Sequence, residues 1–233
     1  MKLGMMQPYF FPYLGYWQLM NISDEYILYD DVNYIKGGWI NRNRIKINGE
    51  AQLFGISIRK ASQNKCINEL EVSVTDRDRD TMLATFAHAY AKAPYVREVT
   101  ELLNDTLSWP ETNLAAFLGH SNRSVAAYMG IKTKIYSATE LQLDHTNRAQ
   151  QRIIDICRIR GCNEYINAIG GKELYDKSVF SENGLELSFL RMDPDIVYPQ
   201  GKGEFLPALS ILDVLVYNDH DSVTELLGRY SIE

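Results

Sequence analysis

The pattern of hydrophobic and polar positions divides the chain into three parts. Residues 1–75 carry short apolar runs separated by turn residues, which predict β-strands. Residues 76–130 carry apolar side chains at helical spacing, and residues 131–233 alternate between the two patterns. This order predicts an α/β fold with a mixed β-sheet, flanking helices and a helical middle subdomain or insertion. We expect all three parts to form one domain that spans residues 1–233.

The first part contains a strong hairpin signal. Strands are predicted at residues 3–6, 26–29, 39–47, 52–58 and 70–74, and Asn48-Gly49 separates the third strand from the fourth. Both central residues of a two-residue hairpin turn need positive φ, which Asn and Gly tolerate. The third and fourth strands are therefore predicted to pair as a β-hairpin.

The rest of the chain is predicted to be mostly helical. Gly130 and Gly161 follow two of the predicted helices, at the position where a glycine commonly ends a helix. Ser210 and Ser222 each precede an acidic residue by three positions, a pattern typical of helix starts. The predicted helices lie at residues 78–91 and 96–108, from residue 112, at 148–160, and after the two serines, with strands at 134–136, 164–167 and 185–190.

The segment of residues 7–17 is the most informative local feature, because six of its eleven residues are aromatic. Two prolines and a glycine constrain its backbone, so it is predicted to form a rigid elbow between a strand and a helix at residues 13–20. A helix N-terminus offers free N–H groups and partial positive charge. The elbow is therefore a candidate ligand site, and the alternative is that its aromatic side chains belong to the core.

Composition excludes several classes of function. The 233 residues carry a net charge of −6, which disfavours a general nucleic-acid-binding protein. A hydrophobic content of 45% and a charged content of 23% are typical of a soluble globular protein. Three cysteines at unrelated spacings indicate a reducing compartment, and no signal peptide or membrane-spanning apolar run is visible. We therefore expect a cytoplasmic protein without a transmembrane segment.

Residues 30–44 concentrate carboxylates, amides and cations between two predicted strands. Asp30 and Asp31 follow the strand at residues 26–29, so side-chain alternation directs them to opposite faces. Only one of them can face a given cleft, as a general base or as a partner for an ammonium group. The other would cap a turn or pair with Arg44. Lys36, beside two glycines, is placed to reach a phosphate or a carboxylate.

The strand predicted at residues 39–47 mixes polar and apolar side chains. Asn41 and Asn43 share one face with Trp39, whereas Arg42 lies on the other face. Burying such groups without partners is costly, so a ligand or a dense hydrogen-bond network is expected here. The alternative is a solvated hairpin edge.

A third block places Gly170 and Gly171 after the strand at residues 164–167 and before Tyr175. Glycine lets the backbone approach a ligand closely, so this turn is a candidate phosphate-binding loop. Its spacing matches neither a P-loop nor a dinucleotide-binding glycine motif. An ordinary left-handed turn is the alternative.

Several familiar catalytic patterns are absent from the sequence. There is no GxSxG elbow, HExxH motif or Walker motif, which disfavours serine hydrolases, zinc proteases and P-loop enzymes. The acidic turn at residues 193–195 and the cysteines Cys157 and Cys162 do not make metal sites by themselves. The histidines, among them His120 and His145, lie outside the polar blocks. No metal site and no histidine base are predicted.

Five blocks of this sequence resemble the WbqC-like family. They extend from the N-terminus to about residue 217 and read MQPYFFPYLGYWQLM, YILYDDVNYIKGGWINRNRI, YAKAPY, YINAIGGKELYD and LSILDVLVY. The first two blocks are long and unusual in composition, which makes the resemblance specific. Members of this family resemble proteins from bacterial surface-polysaccharide (O-antigen) clusters.

The resemblance implies a transferase that adds a small acyl or aminoacyl group, such as glycyl, to a sugar during surface-polysaccharide biosynthesis. Its partners would be a nucleotide- or lipid-linked sugar and an acyl or aminoacyl donor, and the resemblance does not identify a cofactor. Two alternatives stay open. One is a non-catalytic protein that binds a nucleotide-sugar or a partner enzyme. The other is an ATP-dependent ligase or nucleotidyltransferase-like enzyme, suggested by the strand, elbow and helix start.

Acyl transfer from or to a phosphate-bearing substrate needs a base, a group that stabilises the oxyanion and a group that binds the phosphate. We expect Asp31 to be the base or ammonium partner and Lys36 or Arg42 to be the cationic group, with Tyr9 in the same catalytic set. The other candidates would bind substrate. Gln7, Tyr9, Asn41 and Asn43 would position the sugar, Trp39 or Trp17 would stack on it, Gly170 and Gly171 would admit the donor, and Asp30, Asn33 and Tyr175 complete the set.

Overall fold

A six-stranded β-sheet forms the centre of the protein in the computed structural model, which describes residues 1–141 and 149–233. Two separate two-stranded sheets lie outside it. In chain order the strands are β1 (Lys2–Met6), β2 (Glu25–Leu28), β3 (Arg42–Ile47), β4 (Glu50–Gly55), β5 (Ile58–Arg59), β6 (Glu71–Val72), β7 (Lys134–Ser137), β8 (Glu164–Ala168), β9 (Glu186–Met192) and β10 (Tyr230–Ile232).

Helices cover both faces of the sheet. In chain order they are α1 (Leu14–Ile22), α2 (Asp76–Ala89), α3 (Val96–Leu107), α4 (Leu114–Tyr128), α5 (Ala149–Arg160), α6 (Lys177–Glu182), α7 (Ile211–Tyr217) and α8 (His220–Leu227). Short 3-10 helices occupy Ile67–Glu69, Ala138–Leu141 and Ile169–Leu174. Among the helices of the described residues, none combines the length and the apolar character needed to cross a membrane.

The order of the strands in the central sheet is β10-β9-β8-β1-β2-β7. All neighbouring pairs are parallel except β9 and β10, so the predicted mixed α/β architecture is confirmed. Numbered along the chain, the five parallel strands follow the order 3-2-1-4-5, which is that of doubly wound sheets. In such sheets ligands bind at the carboxyl ends of the strands where the order reverses, which here lies between β1 and β8.

Strand alternation gives the sheet two apolar faces. Leu3, Met5 and Ile27 pack with α5 and α6 on one face, whereas Tyr26 and Leu28 pack with α1, α4, α7 and α8 on the other. Buried side chains of α2 and α3 belong to the same apolar cluster as Tyr26 and Leu28. The middle helices therefore share the main core, while the assignment of residues 1–233 to a single domain stays a prediction.

Most predicted elements are present, with shifts at their ends. The hairpin is confirmed, since β3 pairs with β4 and Asn48 and Gly49 have φ values of 52° and 86°. β3 begins only at Arg42, because the preceding residues form a turn. The helix predicted from Ser222 begins earlier, since the side chain of Asp219 accepts a hydrogen bond from the Ser222 N–H at 2.8 Å.

Two further predictions concern the helix at residues 148–160 and the glycines at positions 170 and 171. The helix predicted at residues 148–160 is described from Ala149 onward, and its predicted start at Arg148 lies outside the described residues, as does His145. Gly170 and Gly171 form neither an open phosphate loop nor a left-handed turn. They lie in the 3-10 helix Ile169–Leu174, and neither has positive φ.

Candidate functional site

The carboxyl edge of the parallel strands gathers several of the predicted residues. Gln7 directly follows β1, and Tyr29 and Asp30 follow β2. The Tyr29 N–H donates to the Met6 carbonyl at 2.8 Å, so these two strand ends lie side by side. The glycines at 170 and 171 follow β8, which is the other neighbour of β1.

A polar cleft of about 570 Å³ opens at the carboxyl ends of β2 and β7 against α4. We call it the Asp30 cleft. The residues that matter for its chemistry are Asp30, Asn68, Trp109, His120, Arg123 and Ser137. Glu111 and Glu140 line it too, so it combines three carboxylates, an imidazole, a guanidinium and an aromatic wall in one concave site, which is the kind of lining expected of an enzyme.

Asp30 has the character of a general base. Its side chain is buried, with 4% of the residue exposed, and its Oδ1 accepts the N–H of Thr139 at 3.0 Å. Burial raises the pKa of Asp30 above its ordinary value, and the hydrogen bonds from Thr139 oppose part of that rise. A carboxylate with a raised pKa is a stronger proton acceptor, and such shifts are concentrated at functional sites.

His120 and Arg123 come from neighbouring turns of α4. The His120 ring stacks on Trp109, with ring centroids 3.9 Å apart and a tilt of 13°. Partial burial lowers the pKa of His120, which keeps its imidazole neutral at pH 7. The Arg123 guanidinium lies 3.4 Å from the Ser137 hydroxyl and 3.9 Å from a carboxylate oxygen of Glu140.

Two further features of the cleft are the room left for the Arg123 side chain and a side-chain oxygen of Asn68 that has no donor among the described residues. A Cβ at Gly119 would lie 2.9 Å from the guanidinium of Arg123, so the glycine leaves room for this side chain. The side-chain oxygen of Asn68 is buried and accepts no hydrogen bond from the described residues. Buried polar atoms normally have partners, so a donor from a bound molecule or water is expected at this oxygen.

Asp31 occupies a different environment from Asp30. It forms an ion pair with Arg152 of α5 rather than with the predicted partner Arg44, and the side chains of Asp31 and Arg152 are 6% and 9% exposed. The Arg152 guanidinium lies 5.0 Å from the ring centroid of Tyr29. The prediction that the two aspartates face opposite sides of the sheet is confirmed. The predicted role of Asp31 as base does not fit, because its carboxylate is buried against Arg152 and lines neither the Asp30 cleft nor the cavity against the elbow.

A second cavity, of about 250 Å³, lies against the elbow. We call it the elbow pocket, and it is lined by Tyr9, Pro12, Tyr13, Trp39, Asn43, Arg44 and Ala208. The structure thus brings the predicted residues Tyr9, Trp39 and Asn43 together. The guanidinium carbon of Arg44 lies 5.5 Å from the centroid of the Trp39 ring. The Arg44 Nε is buried and has no acceptor within the described ranges.

The elbow itself is fixed by hydrogen bonds to its backbone. The Asn43 side-chain amide donates to the Phe11 carbonyl at 2.8 Å, and the Ser210 hydroxyl donates to the same oxygen at 2.8 Å. Phe11 has a φ of 43°, an uncommon value outside glycine. Tyr13 covers the first turn of α1, since a Cβ at Gly15 would lie 2.6 Å from its ring.

Three residues predicted to bind substrate support the fold instead. Trp17 is fully buried, and its indole N–H donates to the Pro12 carbonyl at 2.9 Å, so it offers no stacking face. The Asn41 side chain donates to the Ile56 carbonyl at 2.7 Å and accepts from the Tyr34 hydroxyl at 2.8 Å. Arg42 donates to the carbonyls of both glycines in the preceding turn, which uses its guanidinium.

The remaining candidates do not line either cavity. Lys36 and Asn33 are exposed, and Asn33 pairs its backbone with Cys66 in an isolated bridge. Gln7 accepts a long hydrogen bond, 3.4 Å, from the Tyr9 hydroxyl. Gly170 is exposed, Gly171 lies against the Asn167 side chain, and Tyr175 packs edge-on against Tyr165 and Phe180.

The contribution of α4 to the Asp30 cleft was not predicted from the sequence. His120 and Arg123 are three residues apart on a helix with a mostly apolar buried face, so they lie on neighbouring turns of one side. That spacing is the signal that would have singled them out. Over residues 1–141 and 149–233, no group of three or more His, Cys, Asp or Glu side chains is arranged to hold a metal ion.

Comparison with known proteins supports the family resemblance. The model of the WbqC-like protein family matches residues 7–225. The chain is 28% identical over 216 residues to the uncharacterized protein Rv1507c of Mycobacterium tuberculosis (strain ATCC 25618 / H37Rv), and the alignment covers 92% of each chain. No solved structure matches the chain.

Proposed function

Because the chain belongs to the WbqC-like protein family, we propose that it is a transferase that adds a small acyl or aminoacyl group to a sugar in bacterial surface-polysaccharide (O-antigen) biosynthesis. The observation that carries the proposal is the Asp30 cleft. There a buried carboxylate with a raised pKa shares one cavity with a neutral imidazole and a guanidinium. These are the groups that acyl transfer to an amine or a hydroxyl needs.

In the proposed reaction, Asp30 takes a proton from the hydroxyl or neutral amine of the acceptor sugar. The acceptor's oxygen or nitrogen then forms a bond to the acyl carbon, and the carbonyl oxygen becomes an oxyanion. Arg123 stabilises this negative charge. When the tetrahedral intermediate collapses, the bond to the leaving group breaks and the leaving group departs with the proton held by Asp30. His120 orients the acceptor by a hydrogen bond and is itself held by its stack on Trp109.

The test is a direct assay for a mass increment on the sugar. Purified protein is incubated with nucleotide-activated aminosugars and either acyl-coenzyme A esters or glycine with ATP and magnesium. We expect one combination to yield an acylated sugar, and Asp30→Asn to lower its turnover by about 10²-fold or more, the usual scale for a general base. Asp195→Asn is the matched control, because Asp195 is exposed and outside both cavities. Near-normal turnover in Asp30→Asn would remove Asp30 from the mechanism.

A second candidate, a non-catalytic sugar-binding protein, is favoured by the elbow pocket. Its aromatic walls suit the apolar face of a sugar ring, and the free Arg44 Nε can donate to a hydroxyl. For this function we expect a nucleotide-sugar to raise the melting temperature without product formation, and Trp39→Ala to abolish the rise. Retention of the shift in Trp39→Ala would exclude the elbow pocket as the binding site.

A third candidate, an ATP-dependent ligase or nucleotidyltransferase-like enzyme, is favoured by the strand order of the sheet. Against it, the Tyr13 ring covers the start of α1, where a phosphate would bind. Conversion of ATP to AMP or ADP in the presence of magnesium, which binding alone does not produce, would support this candidate over the other two.

A further inference from the structure

A third cavity lies away from the sites described so far. It is a cleft of about 710 Å³ between the β3–β4 turn, the C-terminal end of α2 and the loop at residues 200–203. We call it the basic cleft. Four of its lining residues are Lys46, His88, Lys92 and Lys202, and none of the Asp and Glu side chains that the structure describes lines it. In a chain of net charge −6, a cleft lined by three lysines and no carboxylate is a local inversion of charge.

The lysines of this cleft form no ion pair with the residues that the structure describes. Among the described residues, no carboxylate oxygen lies within 4.0 Å of Lys46, Lys92 or Lys202. Lys46 is only 5% exposed, and its ammonium group donates to the Glu204 carbonyl at 2.7 Å. Its charge also acts on the buried Asp213 carboxylate, where it opposes the rise in pKa that burial causes, so the charge offered to a bound anion comes mainly from the exposed Lys92 and Lys202.

The floor of the cleft rests on a buried hydrogen-bond network. The buried Asp213 accepts hydrogen bonds from Tyr90 at 2.7 Å and from Tyr198 at 3.0 Å. Gln200 donates to the Tyr198 hydroxyl at 2.9 Å, and the Tyr90 hydroxyl receives the Lys46 N–H at 3.0 Å. This network fixes one end of the loop and the strand that carries Lys46, so the cleft is formed before any ligand arrives.

The loop over this floor presents unpaired backbone donors. Gly201 and Gly203 have φ values of 72° and 88°, on either side of Lys202. Within residues 1–141 and 149–233, the N–H groups of these three residues donate to no acceptor. Successive free N–H groups in a turn form a concave anion-binding surface, and here they lie beside the lysine side chains.

We propose that the basic cleft binds a phosphate-bearing small molecule with at least two negative charges. Its volume falls in the range of small-molecule sites, and its cations and free N–H groups match phosphate oxygens. The proposal does not depend on acyl transfer, because it rests on charge and geometry away from Asp30.

The test measures binding of inorganic pyrophosphate to the full chain by isothermal titration calorimetry at low ionic strength. We expect saturable binding of one pyrophosphate per chain. The double variant Lys92→Met/Lys202→Met should weaken its dissociation constant at least tenfold, since both side chains are exposed and removing them leaves the floor intact. Lys65→Met/Lys132→Met is the matched control, because it removes the same charge from exposed positions outside the cleft.

Three results would overturn the proposal. They are the absence of saturable binding to the unmodified chain, unchanged affinity in Lys92→Met/Lys202→Met, and an equal loss of affinity in the control. The last would mean that net charge alone governs binding. Circular dichroism of each variant shows whether it is folded. Because the readout is binding, these outcomes are separate from those of the turnover assay on Asp30.

Discussion

At the scale of single residues, adjacent aspartates have different environments because a strand turns neighbouring side chains to opposite faces. Asp30 faces α4 and the cleft, whereas Asp31 faces α5 and pairs with Arg152. The sequence predicts the opposition from alternation alone. It does not predict which aspartate stays available, because the partner of Asp31 is 121 residues away along the chain.

The buried pair gives a prediction for stability. Arg152→Met should lower the free energy of unfolding by about 3–5 kcal/mol, because it leaves the Asp31 carboxylate buried without its counter-charge. The measurement is urea denaturation followed by circular dichroism. Arg158→Met on the same helix is the control, since the Arg158 side chain is 56% exposed and lies 3.8 Å from Asp155. Exposed ion pairs contribute about 0–1 kcal/mol to stability, so the free energy of unfolding of Arg158→Met should change little.

The partner can be removed as well. Adding Asp31→Leu to Arg152→Met should recover part of the lost stability, because no charge is then left buried. Equal losses for Arg152→Met and Arg158→Met would show that the Asp31–Arg152 pair is no more important than a surface pair.

At the scale of elements, local patterns predicted the hairpin and most helices but not how the strands are ordered. Asn48-Gly49 specifies its turn within two residues. The order 3-2-1-4-5 depends on crossovers that contain α1, α4, α5 and α6, which no local pattern encodes. The Asp30 cleft is formed by β2, β7 and α4 together. For this reason His120 and Arg123 were not predicted as site residues from the sequence.

Two glycines, Gly49 in the hairpin turn and Gly170 in a 3-10 helix, test how far local backbone conformation decides stability. Gly49→Ala should destabilise the protein by about 1–2 kcal/mol, because Gly49 has a φ of 86° and a side chain is strained there. Its added Cβ would meet nothing within 4 Å, so packing does not contribute. Gly170→Ala is the matched control, since its Cβ also meets nothing and its φ is not positive.

For Gly170→Ala we expect no loss, or a gain of up to about 1 kcal/mol from the less flexible unfolded chain. Both free energies are measured by denaturant unfolding. A similar effect of the two substitutions would mean that the left-handed conformation at Gly49 is not required by the hairpin.

At the scale of the whole molecule, one apolar cluster connects elements that are far apart in the chain. It includes Trp17 of α1, Phe86 of α2, Val99 of α3, Leu118 of α4 and Leu215 of α7, all of them buried. A helical middle region that shares its core with the sheet loses that core if either part unfolds. The hydrophobic pattern predicted a helical middle subdomain or insertion, and this shared packing argues that the middle region does not fold by itself.

We therefore predict a single cooperative unfolding transition. In a Trp39→Phe/Trp109→Phe background, Trp17 is the sole tryptophan and reports the core beside the sheet, while far-ultraviolet circular dichroism is dominated by the helices. The two signals should give the same urea midpoint, as two-state unfolding requires. If helical signal were lost at a lower urea concentration than Trp17 fluorescence, the middle helices would be a separate folding unit. The Asp30 cleft would then open before the sheet unfolds, because α4 supplies one of its walls.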